Sequence, residues 1–521
     1  MSIADSNLSA LRDAAKRGDA VAIQRLFDSG GRLPDKIKKG HPLLAAVKRG
    51  HFDCAAILWA HVKEEPLTRR TQETALMLAA RRGDEALVRL LLPRSDARVR
   101  SAEGLTALML AAQSGNAQVV RLLLPASDSQ ARDEVGQSAL AWAAAEGHAD
   151  CVELLLPVSN PQERDRPNRT PLMRAAHQGS EECVALLLPV SDARATTNHG
   201  LTALMCAAQG GHAKVIDQLL AVSDVRARAS NGQTAFAWAA ANGHAACVAK
   251  LLPLSDAQER NGDKETPLML AARSGSAECV ALLLPHSDAR AVSKTGCTAL
   301  MLAAFSGSAE VVEALLPLSD VRAQDRCKCS ALHWASNLAA LDLLLPHDDP
   351  TQAAHNGLTL LMHAADHGDD ARIERLLSLV DPRAVDQTGC SALMCAASGG
   401  YLRAIELLLP HSDPEQCSDE GMTALMEAAR SGHAEAVLLL LPHSDALGGD
   451  YDGRTAMHWA IEMGNAAAAD ALAEHSDWRL AEDAFHVFGA AQMPRWAAAR
   501  ADEGDEQVSD DLAGCAAGGL Q

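Results

Sequence analysis

Residues 106–125 read TALMLAAQSGNAQVVRLLLP, and this stretch decides the fold. Thr106 is of a residue type that starts helices, because its hydroxyl can accept a hydrogen bond from a free backbone N–H. Gly115 can adopt the left-handed conformation that ends a helix and turns the chain. Pro125 cannot continue a second helix. The stretch therefore predicts two short antiparallel helices, and the polar, glycine-containing residues that follow it predict an extended loop or hairpin.

The same pattern recurs along most of the chain. The spacing is 32 residues from Thr74 to Ser330, then 29 to Thr359, then 32 again, so one repeat has lost three residues. Self-similarity at such a period is the signature of a repeat architecture. The first helix of each of the fifteen repeats starts at a register mark, and these marks are Ser9, His41, Thr74, Thr106, Ser138, Thr170, Thr202, Thr234, Thr266, Thr298, Ser330, Thr359, Ser391, Thr423 and Thr455.

Composition and charge exclude several classes of function. Of the 521 residues, 48% are apolar but only 3% are aromatic, which favours many small, closely packed helices over one large domain with aromatic anchors. The formal charge of −20 repels phosphate backbones and anionic lipids. No stretch approaches the roughly 20 apolar residues that cross a bilayer, and the N-terminus lacks a signal-peptide pattern. We expect no nucleic-acid partner, no membrane insertion and a cytoplasmic location, with a nuclear location or delivery into a host cell left open.

The repeats resemble the ankyrin repeat over about residues 5–475. The pattern of that family is a Thr-Pro-Leu-His-like helix start, an Ala-Ala pair, a Gly-His turn, a Leu-rich second helix and a hairpin that ends in Gly. The matches include GLTALMLAAQSG at 104–115, TPLM at 170 and 266, Gly-His at 147, 211, 243 and 432, and SALHWA and TAMHWA at 330 and 455. The resemblance implies an all-α, ankyrin-type solenoid of stacked helix-turn-helix repeats joined by hairpin-like loops. It also implies that protein partners bind the concave face, which the hairpin tips and first helices line.

Two departures from the family pattern matter. The period is 32 where the family has about 33, and Pro-x-Ser-Asp replaces the Gly after the second helix, which predicts a modified helix terminus. Most repeats carry Met where the family has His. We therefore expect the imidazole hydrogen bond at the helix start only at His333, His363 and His458.

The organisation follows from where the register holds. Residues 1–40 are predicted to be an N-terminal capping repeat with a polar outer face, as a repeat array needs. Residues 41–478 form the array, with an irregular repeat at 327–358. Residues 479–500 could add C-terminal capping helices. Residues 501–521 are acidic and Gly-rich, and we expect them to be disordered.

No residue pattern indicates catalysis, so we expect neither an enzyme nor a cofactor. The chain lacks the GxxxxGK, HExxH and GxSxG motifs. His-Ser-Asp occurs at 286, 411 and 443, but adjacent residues cannot converge on one reacting atom.

Cys327, Cys329 and His333 are residue types that zinc accepts, but the sequence shows no fourth ligand. Two interpretations remain, a metal site or a coincidence at a structural His, and the second is favoured. Another group of cysteines recurs at one repeat position and is predicted to be buried thiols, because stacked helices hold such positions beyond the about 7 Å limit for a disulfide. This group is Cys54, Cys151, Cys183, Cys247 and Cys279.

Trp142, Trp238 and Trp334 recur every 96 residues in a position that holds Leu elsewhere. Packing between adjacent helix pairs is the favoured interpretation, and a row of ligand-stacking rings is the alternative.

The position after the Ala-Ala pair is the most variable in the repeat, which is what a binding surface on a fixed frame would show. Phe305 stands there among polar equivalents, a composition typical of an interface hot spot, although packing against the neighbouring hairpin explains it equally well. The residues that we predict to contact a partner are Arg81, Arg82, Gln113, His177, Gln209, Arg273, Phe305, Asp366 and Arg430.

Two functional hypotheses follow. The first is a non-catalytic, monomeric scaffold that binds another protein on the concave face. The second is the recognition module of a host-directed effector or of a ubiquitin-ligase-type adaptor. In that case any activity must be recruited, because residues 481–521 are too few for an ordinary catalytic domain.

Overall fold

The computed structural model describes residues 3–30, 33, 40–473 and 475, and within them the chain is a succession of paired helices. The described part contains no strand, and its one isolated β-bridge joins Val385 and Ser391. It divides into two compact units. The first holds the residues up to Ala271 together with Ala281–Ser287, and the second holds Ala272–Val280 and the residues from Asp288 onward. The all-α, helix-turn-helix prediction is confirmed.

The helices of the first compact unit are α1 (Ile3–Arg17), α2 (Ala20–Asp28), α3 (Pro42–Arg49), α4 (Phe52–Ala60), α5 (Ala75–Arg82), α6 (Glu85–Leu91), α7 (Ala107–Ser114), α8 (Ala117–Leu123), α9 (Ala139–Glu146), α10 (Ala149–Leu155), α11 (Pro171–Gln178), α12 (Glu181–Leu187), α13 (Ala203–Gly210), α14 (Ala213–Leu220), α15 (Ala235–Ala241) and α16 (Ala245–Leu251). Two helices contribute residues to both units, α17 (Pro267–Ser274) and α18 (Ala277–Leu283). The helices of the second unit are α19 (Ala299–Ser306), α20 (Ala309–Leu315), α21 (Ala331–Trp334), α22 (Leu338–Leu344), α23 (Leu360–Asp366), α24 (Asp370–Leu376), α25 (Ala392–Gly399), α26 (Leu402–Leu408), α27 (Ala424–Ser431), α28 (Ala434–Leu440), α29 (Ala456–Glu462) and α30 (Ala466–Leu472).

The repeat that begins at Thr106 shows why each helix pair forms. The Thr106 hydroxyl accepts a hydrogen bond from the Met109 backbone N–H at 3.3 Å and so caps α7. Gly115 ends α7 with φ of 76°, in the left-handed region. The Asn116 side chain then caps α8 by accepting from the Val119 N–H at 3.0 Å. Three local devices thus fix both helices and the turn between them.

The core lies between neighbouring repeats. The Ala-Ala pair of α7, Ala111 and Ala112, is fully buried, and so are Val119, Val120 and Leu123 of α8. First helices contact first helices of the adjacent repeat, and second helices contact second helices, within each compact unit. The small Ala side chains allow this close approach. The five recurrent cysteines are buried and form no disulfide, as predicted.

The second helices end in the way that Pro-x-Ser-Asp predicts. After Leu123, the chain tightens from α-helix into a 3₁₀ turn at Leu124–Ala126 that contains Pro125. This prediction of a modified helix terminus is confirmed. The same three-residue turn follows eight other second helices in the described part, at Leu92–Arg94, Leu156–Val158, Leu188–Val190, Leu252–Leu254, Leu284–His286, Leu316–Leu318, Leu409–His411 and Leu441–His443.

The loops between repeats form tight tips that are tied to one another. Asp133 organises one tip, because its Oδ1 accepts from the backbone N–H groups of Val135 at 2.9 Å and Gln137 at 2.8 Å. The Glu134 N–H donates to the carbonyl of Glu103 in the preceding tip at 3.1 Å. These contacts satisfy the backbone without a β-ladder, which is why the loops are hairpin-like but contain no strand.

The irregular repeat is shortened in its first helix. Helix α21 has four residues, where the first helices around it have seven or eight. The Asn337 side chain takes over the missing turn: Oδ1 accepts from the Ala340 N–H and Nδ2 donates to the carbonyl of Gly307, both at 2.9 Å. The repeat is therefore tied to the preceding one, whereas α21 packs on α23 less extensively than longer first helices pack on their neighbours.

The predicted imidazole bond at the helix start is present in two of the three places. Nδ1 of His333 accepts from the Ser330 N–H at 3.3 Å, and Nδ1 of His458 accepts from the Thr455 N–H at 3.1 Å. The prediction for His363 is wrong. The Thr359 N–H donates instead to the sulfur of Met362 at 3.4 Å, because His363 lies one residue further along the helix.

The structure does not test the predicted domain limits. The capping helices at 479–500 and the tail at 501–521 lie outside the described residues. The N-terminal capping repeat at 1–40 and the array limits at 41–478 stay predictions.

We expect the irregular repeat to open before its neighbours. Its first helix is short, and local stability follows the extent of buried contacts. Hydrogen exchange monitored by mass spectrometry should therefore show faster exchange in residues 327–358 than in residues 298–326 and 391–442 of the same compact unit. Uniform protection across these segments would contradict the expectation.

Candidate partner-binding surface

The first helices present one side chain per repeat beside a buried frame. In α5, Ala79 and Ala80 are fully buried while the next residue, Arg81, is exposed, and the same change occurs in α11 from Ala176 to His177. We call the positions that directly follow the Ala-Ala pairs the first-helix surface. Its backbone is fixed by the packing of the pair, so its chemistry is set by one variable side chain in each repeat.

The predicted contact residues of the first compact unit differ in their exposure and in whether they already bind other residues of the chain. Arg81 forms an ion pair with Glu73, whose side chain is only 7% exposed. Arg82 lies next to it, outside the first-helix surface, and is exposed with Nη1 donating to the carbonyl of Lys48 at 3.0 Å. His177 is exposed, while Gln113 and Gln209 are half-buried.

The turns hold this surface in register. The backbone carbonyl of Gln113 contacts Nε2 of His148 at 3.1 Å, and the carbonyl of His177 contacts Nε2 of His212 at 2.8 Å. A ring nitrogen of the turn histidine thus reaches back to the previous repeat at the end of its first helix.

In the second compact unit, Phe305 is the large apolar member of the surface. Its side chain is 53% exposed. One edge of the ring meets Trp334 of the next repeat, with centroids 5.8 Å apart and planes at 75°. Phe305 therefore has both a packing contact and a free apolar face, so the two interpretations of it are not exclusive.

The charged members of the second unit are also exposed. Arg430 donates from Nη2 to Glu427 at 2.6 Å, and Asp366 lies 3.8 Å from Nδ1 of His367. Arg273 is exposed at the same position of its repeat. Seven of the nine predicted residues are exposed, and Gln113 and Gln209 are half-buried. The ion pairs of Arg81 and Arg430 already use part of their hydrogen-bonding capacity.

The tryptophans pack against the hairpin tips. Nε1 of Trp142 donates to Asp133 at 3.0 Å, and Nε1 of Trp334 donates to Asp325 at 3.0 Å. Both rings are half-buried, which favours the packing interpretation for them. Nε1 of Trp238 is buried without a hydrogen-bond partner among the described residues, because Ala229 stands at the tip position that Asp133 occupies three repeats earlier.

A cavity of about 380 Å³ opens beside the first-helix surface in the first compact unit. It lies where α9, α11 and α13 meet the following hairpins, and its volume is within the range of small-ligand pockets. Two predicted contact residues, His177 and Gln209, line it. The full lining is Ala145, Arg169, Met173, Arg174, His177, Thr197, Leu201, Cys206 and Gln209.

Two arginines of the cavity wall interact with buried carboxylates behind them, chiefly Asp165. Asp165, with a side chain only 1% exposed, accepts from Nε of Arg169 at 3.1 Å and from Nη2 of Arg174. Burial is the main cause that lowers the pKa of Arg174, whose side chain is 10% exposed. Breaking a buried ion pair typically costs about 3–5 kcal/mol, so this pair holds the wall in one arrangement.

Sequence reasoning missed Arg169, Arg174 and Cys206. The signal was present in the register: Arg174 and Cys206 stand four residues after their register marks, where Leu110 and Trp142 stand in other repeats. This position is apolar in most repeats, with Glu427 as another buried charge, and a buried charge in such a place marks a functional candidate. The depth of the cavity, in contrast, depends on side chains from successive repeats and is visible only in the structure.

The three residues weighed as zinc ligands, Cys327, Cys329 and His333, form no metal-binding group with a fourth ligand among the described residues. Cys327 is exposed, and both ring nitrogens of His333 contact the protein, Nδ1 at the helix start and Nε2 at the carbonyl of Gln352 at 3.0 Å. Within the described residues no three His, Cys, Asp or Glu side chains form a group that could hold a metal ion. No described helix has the length and apolarity to cross a membrane.

The comparison with protein-family models agrees with the repeated helix pairs. The family model for ankyrin repeats, three copies, matches in nine overlapping windows that together span residues 11–480. The chain therefore belongs to the ankyrin-repeat family, whose repeats are protein–protein interaction modules. The chain is also similar to the crystal structure of the human ASB11 ankyrin repeat domain, with 27% identity, 41% of this chain and 97% of that chain covered and a TM-score of 0.38. The comparison with curated proteins gives no match.

We expect the thiols to differ sharply in reactivity. Burial raises the pKa of Cys151 to about 11 and that of Cys206 to about 12, whereas Cys327 is exposed. The thiolate is the nucleophile, so iodoacetamide at neutral pH should modify Cys327 well before Cys151 and Cys206 in the native protein. Peptide mass spectrometry measures the order, with urea-unfolded protein as the control. Equal rates in the native protein would contradict the burial.

Proposed function

We propose that this chain is a non-catalytic scaffold that binds another protein on the first-helix surface and the hairpin tips beside it, the concave face in the ankyrin resemblance. The observation that carries the proposal is the change from a fully buried Ala pair to an accessible, variable residue. Ala303 and Ala304 followed by Phe305, and Ala428 and Ala429 followed by Arg430, are examples from the second compact unit. A constant frame with variable side chains allows specificity to change without changing the fold.

Apolar contact should contribute more to affinity than the exposed charges. Exposed ion pairs contribute about 0–1 kcal/mol, and Arg81 and Arg430 are already paired within the chain. Truncating a buried aromatic hot spot typically costs about 2 kcal/mol or more. Phe305 is therefore the proposed anchor of the second unit, and the charged residues set orientation and specificity.

The chain is further proposed to act as a monomer in the cytoplasm. Its net charge of −20 disfavours self-association. The recognition-module hypothesis, in which an effector or adaptor recruits an activity, uses the same surface and differs in what the bound partner brings.

A photo-crosslinking experiment tests the location of the interface. A benzophenone amino acid placed at Gln113, Phe305 or Arg430 should capture a protein partner from cell extract. The matched controls lie at exposed apolar positions outside the first helices, Val190 at 43% and Leu318 at 50% exposure. Capture from the control positions but not from the first-helix surface would place the interface elsewhere.

We expect Phe305→Ala to weaken binding of the captured partner by about tenfold or more. The melting temperature should change little, because about half of the side chain is already exposed and only one edge contacts Trp334. Leu318→Ala, which removes a similarly exposed apolar side chain, is the matched control. Early unfolding of Phe305→Ala with unchanged affinity per folded molecule would make Phe305 a packing residue.

A further inference from the structure

We propose that the cavity lined by Arg169 and Arg174 is a binding pocket for the carboxylate of a Glu side chain from the protein partner. This inference rests on the proposed function, because it assumes that a protein docks on the first-helix surface. It goes further by naming the pocket, the chemical group that enters it and the residues that hold that group.

The space for a side chain arises from a local change in residue size. Trp142 and Trp238 fill the position four residues after the register mark in their repeats, but Cys206 stands there in α13. Ala145 of α9 is also small, where Arg81 and Phe305 stand at the equivalent position of other repeats. The two small residues border the same cavity of about 380 Å³.

The wall of the cavity carries positive charge in a strongly acidic protein. Its nine lining residues include two arginines and no Asp or Glu, whereas the whole chain has a formal charge of −20. Three buried carboxylates interact with Arg174, and none of them lines the cavity; they are Asp165, Asp133 and Glu163. An acidic group is therefore the ligand class that the wall would attract.

The arginines keep hydrogen-bonding capacity for such a group. Arg169 uses Nε to bind Asp165, and Arg174 uses Nη2. The Arg174 side chain is nine-tenths buried, and its Nε has no hydrogen-bond partner among the described residues. A guanidinium offers five N–H donors in a planar fork that matches a carboxylate. Asp165 holds both guanidinium groups in place before a ligand binds, so little side-chain entropy is lost on binding.

The remaining wall favours Glu over other acidic groups. Met173 and Leu201 provide apolar contact beside the arginines, and the two methylene groups of Glu can pack there while its carboxylate reaches the guanidinium groups. The half-exposed Gln209 and the exposed His177 at the same cavity add polar contacts. A phosphate brings no methylene groups of its own to this wall, which makes it the less suitable occupant.

The test uses peptides and the full chain. A phage-displayed library of random dodecapeptides is selected on the wild-type protein, and a fluorescent synthetic peptide of the recovered consensus is titrated by anisotropy. We expect one Glu in the consensus whose replacement by Gln raises Kd about tenfold or more, because the neutral amide loses the charge-assisted contact with the arginines.

Two variants of the protein should reproduce this loss. Arg174→Leu introduces the residue that Leu110 provides at the same position of another repeat, and it should raise Kd for the Glu peptide about tenfold but leave the Gln peptide nearly unchanged. Cys206→Leu fills the cavity while both arginines and Asp165 keep their contacts, so it tests the pocket even if Arg174→Leu destabilises the fold. Arg194→Leu, which removes one charge at an exposed position of the same repeat, is the matched control and should have no effect.

The outcomes separate the two proposals. Peptides that bind wild type, Arg174→Leu and Cys206→Leu with equal Kd would overturn the pocket while leaving the scaffold function in place. Binding of a phosphoserine peptide but not of its Glu counterpart would overturn the carboxylate as the ligand. Failure of the wild-type protein to retain any peptide, together with no partner captured by crosslinking at the first-helix surface, would overturn both.

Discussion

The structure depends on one constraint: a single helix pair of this size cannot bury its apolar face alone. Val119, Val120 and Leu123 of α8 are fully buried only because the neighbouring repeats cover them. Within each compact unit, every repeat therefore supplies part of the core of the next, and stability is approximately a sum of repeat and interface terms. The close approach of successive first helices requires the small Ala pair, which explains why that pair varies so little from repeat to repeat.

The side chains available for binding a partner can vary because the packing constraint does not extend beyond the Ala pair. The residue after it, such as Arg81, His177 or Phe305, lies outside the core and is free to change. The hairpin tips likewise contain both residues that hold the backbone and residues that face solvent. Asp133 is occupied by backbone N–H groups and by Trp142, while neighbouring tip residues face solvent. The same repeat thus combines positions that fold the chain with positions that can recognise a partner.

How much the sequence predicts depends on how local the cause is. Thr106, Gly115 and Pro125 each act on the backbone within a few residues, so helix starts, turns and helix ends could be predicted. Asn337 acts locally in the same way, because its side chain accepts from the Ala340 N–H and caps the second helix of the irregular repeat. The error at His363 came from a shift of one residue within an otherwise sound register. The cavity was not predictable from one repeat, because Ala145, Arg174 and Cys206 come from three repeats and only their packing shows that space remains.

Arg174 shows how a repeat protein can build a site without changing its frame. The position belongs to the apolar part of the first helix, where Leu110 or Trp142 adds to packing, and a buried guanidinium there has a desolvation cost that packing alone does not repay. Asp165 offsets much of this cost, yet a well-packed Leu would be at least as stabilising. A charged residue at this position, next to a small Cys206 that leaves space beside it, is easier to understand as a binding feature than as a structural one. Stability alone would favour an apolar side chain such as Leu110 at this position.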